Sequence, residues 1–167
     1  MSQKLARTAV VSVALLAVVC LSAFAQTPFA PPPQVSYGLP ISTESAKNVA
    51  AASIAEARKN NWLQAIAIVD TGGYLVYFEK MQDTQTGSVA LAIEKANTAA
   101  LFRRPTKVFE DGVVKGELRL LRLTGAIPID GGVPIIADGK LIGAIGVSGG
   151  TGAQDGQVAK AGADAVK

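Results

Sequence analysis

The 167 residues contain no histidine, a single cysteine (Cys20) and only 5% aromatic side chains. Without histidine there is no ordinary catalytic triad and no side chain whose usual titration falls near neutral pH. With one cysteine besides, a zinc site of the common donor type is excluded. A carboxylate-only cation site needs grouped acids, and Asp70, Asp83, Asp130 and Asp155 show no such spacing. No catalytic residue and no metal ligand is therefore assigned, and there is no internal repeat.

Surplus charge is scarce as well, once the N-terminus is set apart. Lys4 and Arg7 precede an apolar run over residues 8–24, and Ala23-Phe24-Ala25 fits the small-x-small pattern of a signal-peptidase site. Residues 1–25 are expected to be a signal peptide cleaved before Gln26, and the protein to be periplasmic or secreted. Val18 and Val19 before Cys20 lack the small residue that lipoprotein cleavage prefers. Losing Lys4 and Arg7 leaves 14 basic against 13 acidic residues, so the net charge falls from +3 to +1. That balance argues for no nucleic-acid partner and no membrane contact after cleavage. Cys20 leaves too, so the mature chain has no disulfide and relies on its core. Residues 26–40, "QTPFAPPPQVSYGLP", hold five prolines and read as a linker ahead of one domain at 41–167.

Within that domain Ser42 or Thr43 can cap a helix whose apolar stripe is Ala46, Val49, Ala50, Ser53, Ile54 and Ala57, with Asn60 as its stop. "AIAIVD" (65–70), Thr71-Gly72-Gly73 and "YLVYFEK" (74–80) read as a hairpin. A second, alanine-rich helix spans 87–102, capped by Ser88 and ended by Pro105, and Thr106 can cap a short turn. Residues 113–123 predict another helical piece with Val114, Leu118 and Leu121 facing inward. "AIPID", "VPIIA" and "LIGAIGVSG" read as three strands, the last two joined by Asp138-Gly139, a strong hairpin signal. Residues 154–166 predict a closing helix. The expected fold class is α+β, one mostly antiparallel sheet flanked by helices.

"GGTGAQDG" (149–156) leads a strand into a helix, but the phosphate-loop and dinucleotide patterns both fail. Its glycines turn the chain, and Asp155 suits the helix dipole. Lys95 lies among Ala92, Ala96 and Ala99; its ammonium either snorkels to water or enters a pocket near the glycine loop to meet a ligand carboxylate. Arg103 and Arg104 suit a helix C-terminus. Phe78, Met81 and Phe102 read as core.

The stretches "AIVDTGGYLVYFEKMQDTQTGSVALAIEKANTAALFRRPT" and "GAIPIDGGVPIIADGKLIGAIGVSGGTGAQDGQVAKAGADAV" resemble the GlcG/HbpS-type family, the haem-degrading or DUF336 domain. The likeness covers residues 41–166 and combines Val-Asp-x-x-Gly, Gly-Ser before a Lys-Ala-x-x-Ala helix, Gly-Gly-x-Pro and Gly-Ala-Ile-Gly-Val-Ser-Gly. It implies a profilin-like sheet, homo-oligomers (octamers in some members), haem as a cofactor and a sensor protein as a partner. Gly131, Gly132, Pro134 and Lys95 match the family's pattern; together with Ser88 and Arg103 they form the expected ligand-binding set. Some relatives offer the iron a histidine where this chain has Tyr74, so Tyr74, Tyr77 and Met81 are the haem-ligand candidates. Three functions follow as expectations: an exported oligomeric binder of haem or a related tetrapyrrole, in haem handling or redox sensing; an enzyme or accessory factor for a small carboxylic acid gripped by Lys95 and Arg103 or Arg104; or a ligand-free oligomer that binds a partner.

Overall fold

A computed structural model describes residues 35–166; the expected signal peptide and most of the linker lie outside them. Helix α1 (Thr43–Lys59) starts where Ser42 Oγ accepts the Ser45 N–H, and it buries the six residues of the predicted stripe. The hairpin follows as β1 (Ala65–Val69) and β2 (Leu75–Lys80). Asp70 Oδ1 accepts the N–H groups of Gly72 and Tyr74 and locks its turn. Then come α2 (Ser88–Phe102), α3 (Lys107–Val114), a 3₁₀ turn (Leu118–Arg122), β3 (Gly132–Ala137), β4 (Lys140–Ser148) and α4 (Gly152–Ala163). The described strands form one antiparallel sheet in the order β2-β1-β4-β3.

Side-chain alternation along the central strands sorts the core onto two faces. Ile66, Ile68, Ile145 and Val147 pack with α1 and α4, whereas Ala65, Ala67, Val69 and Ala144 pack with Ala92, Ala96, Ala99 and Ala100 of α2. The α2 face is built almost wholly from small residues, so helix and sheet backbones nearly touch. At Gly146 a Cβ would come within 2.0 Å of the Ala92 carbonyl oxygen and 2.4 Å of the Ala96 nitrogen. The end of the expected linker adds to the sheet: the Gly38 N–H donates to Leu141 C=O, and the Leu141 N–H to Ser36 C=O.

At the β3 edge, Thr106 takes both outward backbone groups of Gly132. Its Oγ1 accepts the Gly132 N–H (2.8 Å), and its own N–H donates to the Gly132 carbonyl (2.9 Å). Pro134, two residues on, therefore presents its donorless nitrogen outward, the place in a sheet where proline is tolerated.

Several local expectations need correction. "AIPID" is not a strand: the Ile127 N–H donates to Thr98 Oγ1, which ties the segment to α2, and Thr106 already occupies the adjoining sheet edge. Val114, Leu118 and Leu121 face outward, 80%, 63% and 58% exposed. Helix α3 ends at Val114, and in the 3₁₀ turn residues three apart share a face, so Leu118 and Leu121 point out together while Leu120 is buried. Neither Ser88 nor Thr106 caps a helix with its side chain; both turn inward instead. The closing helix begins at Gly152, capped by Thr151 with a reciprocal bond from Gln154.

The Gly146 contact predicts that Gly146→Ala, read by urea denaturation, costs at least ~3 kcal/mol, since a methyl would strike immobile backbone. Gly87→Ala, with open space at its Cβ position, should change stability by less than ~0.5 kcal/mol.

Candidate functional site

Lys95 is fully buried among the alanines of α2. Its ammonium donates to Asp155 Oδ2 (2.7 Å) and to the Val147 carbonyl (3.0 Å). The other Asp155 oxygen, Oδ1, accepts the Gly150 N–H at 2.9 Å. Lys95 comes from the helix on one face of the sheet and Asp155 from the helix on the other. They meet beside Gly131 (φ +119), where a Cβ would lie within 2.8 Å of both Lys95 Nζ and Asp155 Cβ. The ammonium thus neither snorkels to water nor awaits a ligand: its carboxylate is internal. Burying two charges is repaid only where geometry is good and further hydrogen bonds are made, as both partners do here.

The rest of the expected ligand set is spread out. Gly131 and Gly132 are buried, Gly131 against Lys95 and Gly132 against Thr106. Ser88 lies at the start of α2, buried, its Oγ accepting from Ser148 Oγ (3.3 Å) and from Gln85 Nε2 (3.0 Å). Arg103 closes α2 in a left-handed conformation (φ 52), donates to the Val35 carbonyl and lies 5.4 Å from the centre of the Tyr37 ring. Pro134 alone lines an open groove.

The three haem-ligand candidates also separate. Tyr74 is 76% exposed on the β1–β2 turn. Tyr77 donates to Glu79 Oε2 (3.0 Å), and that bond, with burial, pushes its phenol above the ordinary range. Met81 packs against the α1/α4 core.

Among the described residues, two surface grooves stand out. One, of ≈ 440 Å³, runs along α2 and is lined by Asn97, Thr98, Leu101, Ala126 and Ile127 among others. The turn carrying Tyr74 abuts it: a Cβ on Gly73 would sit 3.4 Å from Asn97 Oδ1 and 3.7 Å from Leu101. Asn97 Oδ1 is buried there without a hydrogen-bond partner. The second groove, ≈ 960 Å³, lies between β3 and α4 with Pro134 in its wall and Asp130 at one end. Burial raises the Asp130 carboxyl above its ordinary 3.8, and Asp155 adds in the same direction; the Gly131 N–H, Lys107 and Lys95 oppose it. Among the described residues no group of three or more acids could hold a metal ion, and no helix is long and apolar enough to cross a membrane.

Three of these features are not marked in the sequence. Local spacing gives Asp155 only a dipole role, because sixty residues separate it from Lys95. The Asn97–Leu101 wall and the buried Asp130 left no mark in spacing, because burial is set by the fold.

The model of the family described as haem degrading protein, HbpS-like, matches residues 41–164. This chain belongs to the HbpS-like family. Protein GlcG of Escherichia coli (strain K12) is 46% identical over 108 residues, 65% of this chain and 81% of that protein. Among solved structures, an HbpS double mutant from Streptomyces reticuli superposes with a TM-score of 0.71 at 27% identity, covering 83% of this chain and 94% of that one. A PduOC:heme complex superposes with a TM-score of 0.68 at 27% identity over 77% and 96% of the two chains. The α+β class expected from the order of elements and the family expected from the motifs both stand, and haem-related binding is the property that this family suggests.

Two outcomes follow for the HbpS-like core. Lys95→Met should cost ~3–5 kcal/mol in urea unfolding, because it strands a buried carboxylate, and Lys95→Met with Asp155→Leu should recover part of the loss. For Asp130, an acid with a raised folded value contributes stability that is present below pH 3.8 and lost as pH rises through that folded value. Asp130→Asn escapes this loss, so its stability relative to wild type should grow as pH rises from below 3.8 and then level off, which urea midpoints across that range will read.

Proposed function

We propose that this chain is an exported, homo-oligomeric binding protein for haem or a related tetrapyrrole, serving haem handling or redox sensing together with a sensor-protein partner. The observation that carries the reading is Tyr74: an exposed phenol on a turn locked by Asp70, whose Gly73 abuts a groove with Leu101 and Ile127 in its wall. The family model and the haem complex of a structural relative support the choice of ligand.

The residues present fit haem at this turn and not at the other candidates. Tyr77 is committed to Glu79, which disfavours its phenolate, and Met81 is held against the core. Tyr74 is the side chain that could hold the iron, with Leu101 and Ile127 offering apolar surface to the macrocycle. Bound haem would supply an iron whose redox and ligand chemistry the axial residue tunes. The protein's own contribution is to hold the turn in place and to offer the macrocycle a partly apolar wall. A small-acid function drew on Lys95, and that ammonium is already taken by Asp155.

Hemin titration of the protein beginning at Gln26 tests the reading. A saturable, stoichiometric Soret band is expected, shifted in Tyr74→Phe and unchanged in Tyr77→Phe. Broad, non-saturating absorbance that Tyr74→Phe leaves unchanged would overturn it.

A further inference from the structure

The groove between β3 and α4 lies on the sheet edge opposite to β2, away from Tyr74, and is independent of the haem reading. Its ≈ 960 Å³ falls within the range of small-ligand sites. Val133, Pro134 and Ile136 of β3, with Ala163 and Val166, give it apolar walls. Asp130 stands at one end and is only 8% exposed.

That carboxyl is underemployed for a buried group. Oδ1 accepts the N–H of the adjoining Gly131 at 2.7 Å, while no hydrogen bond or ion pair reaches Oδ2 from the described residues. Helix α4 passes close beside it: a Cβ on Gly156 would come within 2.7 Å of Oδ2, so only glycine permits this approach, and the carboxyl reaches the groove past it. The cations nearby are committed elsewhere, Lys95 to Asp155, Lys107 to Asp111 and Lys160 to Asp164. The Gly131 N–H and the more distant charges of Lys107 and Lys95 offset only part of the burial cost of this carboxylate, and an incoming ammonium would offset more.

We propose that this groove binds an amphipathic amine, its ammonium on Asp130 Oδ2 and its apolar body along Val133, Pro134, Ile136 and Val166. A carboxylate of the same shape would meet Asp130 and Asp164 with like charge. A neutral alcohol could donate one hydrogen bond but would leave the charge uncompensated.

The test uses n-hexylamine, with hexanoate and 1-hexanol as matched probes, followed by amide chemical shifts of the whole protein. Hexylamine should give saturable shifts centred on Gly131 and Gly156, with affinity at least tenfold above either matched probe. Asp130→Asn keeps the shape and the bond from Gly131, and should weaken the amine at least tenfold; Lys160→Ala should bind it no less tightly. Hexanoate binding as well as the amine, or an amine affinity unchanged in Asp130→Asn, would overturn the proposal. So would the absence of saturable shifts, including the case in which Asp130→Asn instead alters the oligomeric state, which would assign the groove to a second copy of the chain. The comparison of amine with acid in the wild-type protein stands even if the variant does not fold.

Discussion

The ion pair between Lys95 and Asp155 joins the three layers of this domain. Lysine comes from the helix on one face of the sheet and aspartate from the helix on the other, and they meet where β3 begins. The pair fixes how far along the sheet each helix can slide, since a shift of either would strand a charge in the interior. It also shapes the turn after β4: the same carboxylate takes the Gly150 N–H, so the chain reverses into α4 with its path tied to Lys95. An apolar pair could supply as much stability, but a charged pair with directional bonds tolerates fewer alternative alignments.

Around that fixed point the packing is thin. With aromatics at 5%, the layers are held by alanine, valine and isoleucine, and the sheet comes close enough to α2 for peptide groups to touch side-chain methyls. Thin layers leave little internal volume on the α2 face, and both open grooves are accordingly peripheral, one along the outer side of α2 and one beside β3. The glycines of β4 and of the turn before β3 serve mostly as close-packing surface.

Much of the fold was legible because its signals are local. The stripe Ala46–Ala57, the Asn60 stop, the β1–β2 hairpin and the Asp138-Gly139 turn each depend on a few adjacent residues, and each appears as expected. "AIPID" misled because its alternation is that of a strand while its hydrogen-bond partner, Thr98, lies on a distant helix. Leu118 and Leu121 misled because they share a face in either kind of helix, and which face meets the core is decided by tertiary packing, which takes Leu120. At the candidate site, Lys95 was singled out by its alanine surroundings, yet the identity of its partner depends on a contact across the whole sheet. Residues grouped by motif, such as Tyr74, Tyr77 and Met81, proved to lie on a turn, a strand and a core margin. Sequence neighbours on a hairpin need not share a site.

Pro134 bears on how copies of this chain can come together. On the β3 edge Thr106 occupies one pair of outward backbone groups, and the next outward nitrogen has no hydrogen to give. A foreign strand laid along that edge would find its ladder interrupted at once, so the sheet cannot be continued from molecule to molecule on this side. Contact between copies on this edge has to run through side chains and helices, because Thr106 and Pro134 together end the backbone ladder there.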